Sequence, residues 1–227
     1  MPRRNRVDPW GDLHAVAVRG MFTGNRGCLV DDSRHLVRHH VGSLWITCVT
    51  EFRGRRHAID QPRRWTPLFF LDDAVALAAG HRPCGECRRA DYVSYRDAVT
   101  AARETADPVS AAGLNRLLAA ERLVPGRGLE RAGTRILWSS PLRDLPDGTV
   151  VVVDGAPHPH LVTADGVRAF GFTGWGAAQP LPVDTVVDVL TPPTSVAAMR
   201  HGFRPRVHES ASRPHTSEAA SVHHTWS

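Results

Sequence analysis

Four cysteines, all within the first hundred residues, constrain this chain more than any other sequence feature. They are Cys28, Cys48, Cys84 and Cys87, and the last two form a Cys-Gly-Glu-Cys motif. Two thiolates in such a turn can hold one side of a zinc ion, and a structural tetrahedral site needs two further ligands. Cys48 and Cys28 can supply them. The sequence therefore predicts that one zinc ion organises the N-terminal part of the chain.

Other interpretations of these cysteines stay open. A redox-active C-x-x-C motif follows a strand and opens a helix, whereas this motif follows a predicted helix, which favours metal binding. Cys48 lies in a strand-like segment, where a buried core cysteine is common. Cys28 follows a turn that can leave it as a surface thiol. A histidine, either His39, His40 or His57, can replace Cys28 or Cys48 as a ligand.

Hydrophobic periodicity and turn residues predict three helices in the middle of the chain, strands on both sides of them and a fourth helix after the last strands. The predicted helices cover residues 71–79, 90–104, 110–123 and 194–201. Two to four short strands are predicted in the first 65 residues, including the β-branched segment 44–52. A later group of strand-like segments covers 149–153, 160–163, 167–172 and 185–190. This later group predicts a small antiparallel sheet or barrel.

We therefore predict an α+β protein in four parts. A zinc-stabilised, basic N-terminal domain with short strands and helices occupies residues 1–104, and a helix with a linker follows at 105–140. A small antiparallel β-rich domain occupies 141–207. Residues 208–227 are polar and lack apolar periodicity, so we expect a disordered tail.

The positive charge of the chain lies in its first hundred residues. Arginine supplies all 28 basic side chains against 23 acidic ones, and the formal net charge is +5. A basic region of this kind favours an acidic partner such as nucleic acid, and we expect DNA rather than RNA. Trp65 follows the densest basic stretch and can stack on a base or pack inward. The candidate phosphate ligands are Arg53, Arg55, Arg56, Arg63, Arg64, Arg82, Arg88 and Arg89.

Residues 68–88 resemble the second half of the Ada-type metal-binding domain. The matching run contains Phe69-Phe70, an alanine-rich helix and residues 80–88, which are Gly-His-Arg-Pro-Cys-Gly-Glu-Cys-Arg. The resemblance implies that Cys84 and Cys87 are zinc ligands. It also implies a packing role for His81, because the family often has an aromatic residue there. The family's closely spaced first cysteine pair, which in repair members includes a methyl-accepting cysteine, is missing from this sequence.

Three classes of function are compatible with these patterns. The first is a zinc-binding protein associated with nucleic acid. The second is an enzyme, either a cysteine alkyl acceptor or a metal-dependent hydrolase, and the third is a protein-interaction module with a structural zinc ion. The absence of lysine excludes Schiff-base and P-loop lysine chemistry. With no apolar run of membrane length and no secretory signal, we expect a cytoplasmic protein without a membrane partner.

Overall fold

The computed structural model describes residues 2–56 and 64–212. This part of the chain is a mixed α+β fold with two six-stranded sheets, which confirms the predicted fold class. The helices are α1 (Asp73–Ala78), α2 (Arg89–Ala102), α3 (Ala111–Arg122) and α4 (Pro193–Arg200). Among the described helices, none is both long enough and apolar enough to cross a membrane.

The N-terminal part of the chain forms a mixed sheet. The first eight strands are β1 (Arg6–Val7), β2 (Leu13–His14), β3 (Phe22–Asn25), β4 (Ile46–Val49), β5 (Glu51–Phe52), β6 (Arg55–Arg56), β7 (Leu68–Phe70) and β8 (Arg82–Pro83). Six of them form a sheet in the order β2-β1-β7-β3-β4-β8, while β5 and β6 form a separate hairpin. The pairs β1–β7 and β4–β8 are parallel and the others are antiparallel. This order places β4 beside β8 at one edge.

The C-terminal part forms the predicted antiparallel sheet. Its strands are β9 (Trp138–Pro141), β10 (Val150–Val152), β11 (His160–Thr163), β12 (Gly166–Gly171), β13 (Gly174–Gln179) and β14 (Val186–Val189). They lie in the order β13-β12-β11-β10-β14-β9, and every pair is antiparallel. Strand β9 begins in the segment predicted as a linker, 105–140, and ends at Pro141.

Helix α1 joins the two sheets. All six of its residues are buried, and Val75 belongs to a hydrophobic cluster that contains Phe70 of the first sheet and Val150 and Leu161 of the second. The two parts of the chain therefore share a hydrophobic core. The predicted domain limits at residues 104, 140 and 207 stay predictions.

A buried carboxylate reinforces this connection. Asp72 caps α1 by accepting a hydrogen bond from Val75 N, and it also accepts from Trp175 Nε1 at 2.6 Å and from His208 N at 2.9 Å. The C-terminal segment that was predicted to be disordered from residue 208 therefore begins as packed structure. Glu209–Ser212 form a short 3-10 helix, and residues 213–227 lie outside the described ranges.

Candidate metal centre

Three cysteine side chains meet beside the parallel pair β4 and β8. The Sγ atoms of Cys48, Cys84 and Cys87 all lie within 4.8 Å of one another. The register places Thr47 opposite Pro83, so the next residue of each segment is a cysteine. Sulfur atoms that bind one tetrahedral zinc ion at about 2.3 Å stand about 3.8 Å apart. The observed spacing therefore fits a shared ion.

Backbone N–H groups of the Cys-x-x-Cys turn point at the sulfur atoms. Glu86 N lies 3.4 Å from Cys84 Sγ, and Cys87 N also donates to this sulfur. In the same way, Val49 N donates to Cys87 Sγ. Hydrogen bonds of this kind stabilise thiolates, which are the form of cysteine that binds metals.

The hydrogen bonds among the three thiols separate their pKa values. The hydrogen bonds with Cys48 and Cys87 hold the pKa of Cys84 well below its ordinary value. The pKa of Cys48 is raised, chiefly by its hydrogen bond with Cys84. Cys84 is therefore the thiol of the trio that its neighbours help most to ionise, and a bound cation would favour ionisation of all three.

A buried ion pair fixes the turn to the rest of the fold. Arg88, directly after the turn, donates hydrogen bonds to both carboxylate oxygens of Asp73 at 2.6 and 2.8 Å and to Thr47 Oγ1 at 2.9 Å. The side chains of the ion pair are 1% and 3% exposed. The Arg88 guanidinium also lies 4.0 Å from the ring centre of Phe22. The turn is therefore attached to α1, β3 and β4.

The structure does not bring the other predicted ligands into the cysteine trio. Cys28 lies in the loop after β3, where its Sγ is 3.5 Å from Val30 O. His39 and His40 instead pack against Trp45, with ring centres 5.5 and 5.1 Å from it. His57 lies outside the described residues. Within the described ranges, the trio is the only cluster of three or more potential ligands at this spacing.

The predicted phosphate ligands divide into buried and exposed arginines. Arg82 and Arg88 are buried, and Arg82 donates hydrogen bonds to Asn115 Oδ1 and Pro83 O. These two side chains therefore stabilise the interior around the turn. Three of the remaining predicted residues, Arg53, Arg64 and Arg89, are exposed. Arg55 and Arg56 form β6, and Arg63 lies outside the described residues.

The sequence patterns missed a second polar cluster, which surrounds a buried tryptophan. The guanidinium groups of Arg26 and Arg122 lie 4.7 and 3.7 Å from the ring centre of Trp45, which is 1% exposed. His81 packs 5.1 Å from the same ring and 4.7 Å from Phe70, in agreement with the packing role implied by the resemblance. We call this group the Trp45 cluster; its members are Arg26, His39, His40, Trp45, His81, Arg122, Arg131 and Arg135.

Backbone carbonyl oxygens, not carboxylates, accept hydrogen bonds from the arginine side chains of the Trp45 cluster. Arg26 donates to Gly11 O, while Arg122 donates to Gly80 O and Ser43 O. Arg131 and Arg135 likewise donate to backbone carbonyls, which are Gly126 O, Val124 O, Ala78 O and Leu190 O. In the part of the chain that the structure describes, no ion pair joins these four guanidinium groups to an acidic side chain. Asp12 lies 3.9 Å from His39 Nε2 and raises the pKa of Arg26 and Arg135 only from a distance, so these guanidinium groups keep their positive charge without a directly paired acid.

This charge lowers the pKa of the neighbouring histidines. Burial and the positive charge of Arg26 lower the pKa of His39 to about 2. Burial and Arg122 lower the pKa of His40 to about 4. The pKa of His81 is well below its ordinary value for the same reasons, burial first. All three imidazoles are therefore neutral at pH 7.

The cysteine trio is the arrangement with the clearest chemistry. Its three soft sulfur donors suit zinc and are poor ligands for magnesium or calcium. Three sulfurs also occupy three of the four positions of a tetrahedral ion. The chain matches no protein-family model, no curated protein and no solved structure in the three comparisons.

Proposed function

We propose that this is a zinc-binding protein associated with nucleic acid, and that Cys48, Cys84 and Cys87 hold one structural zinc ion. The proposal is carried by the convergence of three Sγ atoms within 4.8 Å. Zinc is favoured because thiolates and a tetrahedral arrangement are its usual structural environment. The resemblance of residues 68–88 to the Ada-type domain supports the same ligands at Cys84 and Cys87.

A zinc ion here would connect two segments that carry exposed arginines. Cys48 lies in β4, and the hairpin of β5 and β6, with Arg53 in its turn, follows directly. Cys87 lies two residues before Arg89, the first residue of α2. Holding both segments at one ion would fix the positions of these two exposed cations. Fixed arginines suit phosphate oxygens, which supports nucleic acid as the partner.

Metal content in single cysteine variants tests the zinc site. Native mass spectrometry of the full chain, expressed with zinc, is expected to show one bound ion in the unchanged protein. The ion is expected to be absent from Cys48→Ser, Cys84→Ser and Cys87→Ser, because each variant loses one thiolate ligand. Cys28→Ser is the matched control and should keep the ion. A metal-free unchanged protein, or equal retention in all four variants, would contradict the site.

Salt-dependent binding tests the association with nucleic acid. Fluorescence anisotropy with labelled DNA and RNA is expected to show binding that weakens as sodium chloride rises, because phosphate contacts release counterions. DNA is expected to bind more tightly than RNA of the same sequence. Absence of binding at low salt, or affinity that does not change with salt, would favour a protein-interaction role instead.

A further inference from the structure

A cleft opens on the surface beside the Trp45 cluster. It consists of two adjoining cavities of about 280 and 300 Å³ between residues 37–43 and residues 122–131. His40, Gly126 and Arg131 line both cavities. We call this feature the His40 cleft. Its volume suits a group of nucleotide size.

The walls of the His40 cleft are basic. Arg38, Arg122, Arg127 and Arg131 line it, and its described lining contains no aspartate or glutamate. Arg122 and Arg131 are buried and held by carbonyl oxygens. Arg38 and Arg127 line the cleft from its two wall segments and are exposed, and within the described ranges neither side chain has a hydrogen bond or ion pair. Two free guanidinium groups are thus available to an anion.

The interior of the cleft also has a positive potential. His40 is half-buried at the boundary of the two cavities, and Arg122, Arg26 and Arg131 all add to the lowering of its pKa by burial. An anion bound beside this imidazole would be attracted by the same three charges. The potential therefore favours a negatively charged group where the two cavities meet.

The rim of the cleft is apolar. Val37, Val41, Leu44 and Val124 belong to the same two wall segments or adjoin them, and each is between 44% and 51% exposed. Exposed aliphatic side chains beside unpaired arginines suit a ligand that has both a charged and an apolar part. A nucleotide has a phosphate for the arginines and a base for the aliphatic rim.

We propose that the His40 cleft binds single-stranded nucleic acid, with Arg38 and Arg127 on phosphate oxygens and the aliphatic rim against the bases. A single strand exposes the faces of its bases, whereas a duplex buries them in its stack, so only the strand can use the rim. This inference rests on the proposed association with nucleic acid and adds a second surface to the segments that carry Arg53 and Arg89.

Paired charge variants of the zinc-loaded full chain test the cleft. Anisotropy with a fluorescein-labelled 12-nucleotide oligothymidylate is expected to show at least tenfold weaker binding for Arg38→Ser/Arg127→Ser at low salt. Two lost phosphate contacts should also reduce the salt slope by about 1.4, at about 0.7 per contact for a single strand. The control Arg19→Ser/Arg103→Ser removes two exposed arginines elsewhere and is expected to weaken binding less than threefold. Thermal unfolding checks that both variants fold.

Each alternative outcome has a distinct meaning. Equal weakening by both variant pairs would show diffuse attraction and overturn the cleft as the site. Normal binding by Arg38→Ser/Arg127→Ser would also overturn the cleft, while the proposed association with nucleic acid would stand. Binding of thymidine monophosphate or inorganic phosphate but not of the oligonucleotide would overturn both the strand as ligand and the proposed function.

Discussion

Replacing Asp73 with alanine is expected to lower the free energy of unfolding by about 3 kcal/mol, the lower end of the range for a broken buried ion pair, because the buried Arg88 guanidinium then keeps only the partly exposed Asp91 as a counter-charge. The side chains of Asp73 and Arg88 are almost fully buried, and Asp73 also accepts a hydrogen bond from Arg206 N at 3.0 Å. The variant therefore loses a charge pair and leaves a backbone donor without its partner. Urea denaturation of the zinc-loaded protein at pH 7 measures the change.

Two further variants separate the ion pair from a general effect of the substitution. Asp97 pairs with Arg96 at the surface and is 54% exposed, so Asp97→Ala is expected to cost less than about 1 kcal/mol. In Asp73→Ala combined with Arg88→Met, both members of the buried pair are gone and Asp91 keeps Arg206 as its partner, so the double variant should be less destabilised than the sum of the two single variants. A cost below about 1 kcal/mol for Asp73→Ala alone would contradict this account.

The same ion pair connects stability to the metal site. Arg88 follows Cys87 directly and reaches Asp73 in α1, so losing Asp73 releases the turn that carries two of the three thiols. We therefore expect Asp73→Ala to lose its zinc to a chelator faster than Asp97→Ala does. The comparison distinguishes a turn that is held by its neighbours from one that the metal alone organises.

Helices and strands whose own residues contain a cap, a turn or a hydrophobic period were predicted well from the sequence. Helix α3 was predicted at 110–123 and is Ala111–Arg122, because Ser110 caps it through Gly113 N and the leucines follow the helical period. Strand β11 occupies the predicted residues 160–163. The segment predicted as one strand, 44–52, contains two strands, β4 and β5. Arg53 and Gly54, both at positive φ, form a turn after β5, and through this turn β5 pairs with β6 instead of continuing β4.

Two strands whose own residues show no strand-like pattern were missed in the sequence. Strands β9 and β13 contain mainly small or polar residues, with sequences Trp-Ser-Ser-Pro and Gly-Trp-Gly-Ala-Ala-Gln. They are strands because they pair with β14 and β12, at the two ends of the second sheet. Strand propensity depends on such neighbours as much as on the residues themselves. A single sequence contains little information about these pairings.

The candidate site shows the same division. The spacing of Cys84 and Cys87 is local and is visible in the sequence, whereas Cys48 joins them only through the parallel pairing of β4 with β8. The Trp45 cluster is less predictable still, because Arg26 and Arg122 come from distant segments and meet only at one indole ring. The composition shows many arginines and histidines but not which of them meet.

Replacing His81 with phenylalanine is expected to stabilise the protein at pH 7 by about 1 kcal/mol, because it removes buried polar atoms that have no hydrogen-bond partner. His81 is fully buried, and neither ring nitrogen has a partner in the described part of the chain. Its ring already packs against Phe70 and Trp45, so an aromatic replacement keeps these contacts. Urea denaturation at pH 7 measures the difference.

The stabilisation is expected to grow as the pH falls. In the unfolded chain the pKa of His81 is about 6.5, whereas burial and the charges of Arg26, Arg122 and Arg135 hold it well below that value in the folded protein. Between these two pKa values only the unfolded state binds the proton. The contribution of His81 to the free energy of unfolding is therefore fully present above about pH 6.5 and decreases as the pH falls below that value. The loss is about 1.4 kcal/mol per pH unit, so at pH 5 the advantage of His81→Phe should have grown by about 2 kcal/mol.

Comparing pH profiles separates this effect from ordinary repacking. Because His39 and His40 also have lowered pKa values, the variant is still expected to lose stability in acid, but with a shallower slope than the unchanged protein. His201→Phe replaces an exposed histidine at the end of α4 and is the control for introducing a phenylalanine outside the Trp45 cluster. Parallel profiles for His81→Phe and the unchanged protein between pH 7 and 5 would mean that folding leaves the proton affinity of His81 unchanged. The positive potential assigned to the Trp45 cluster, on which the His40 cleft depends, would then lack support at this position.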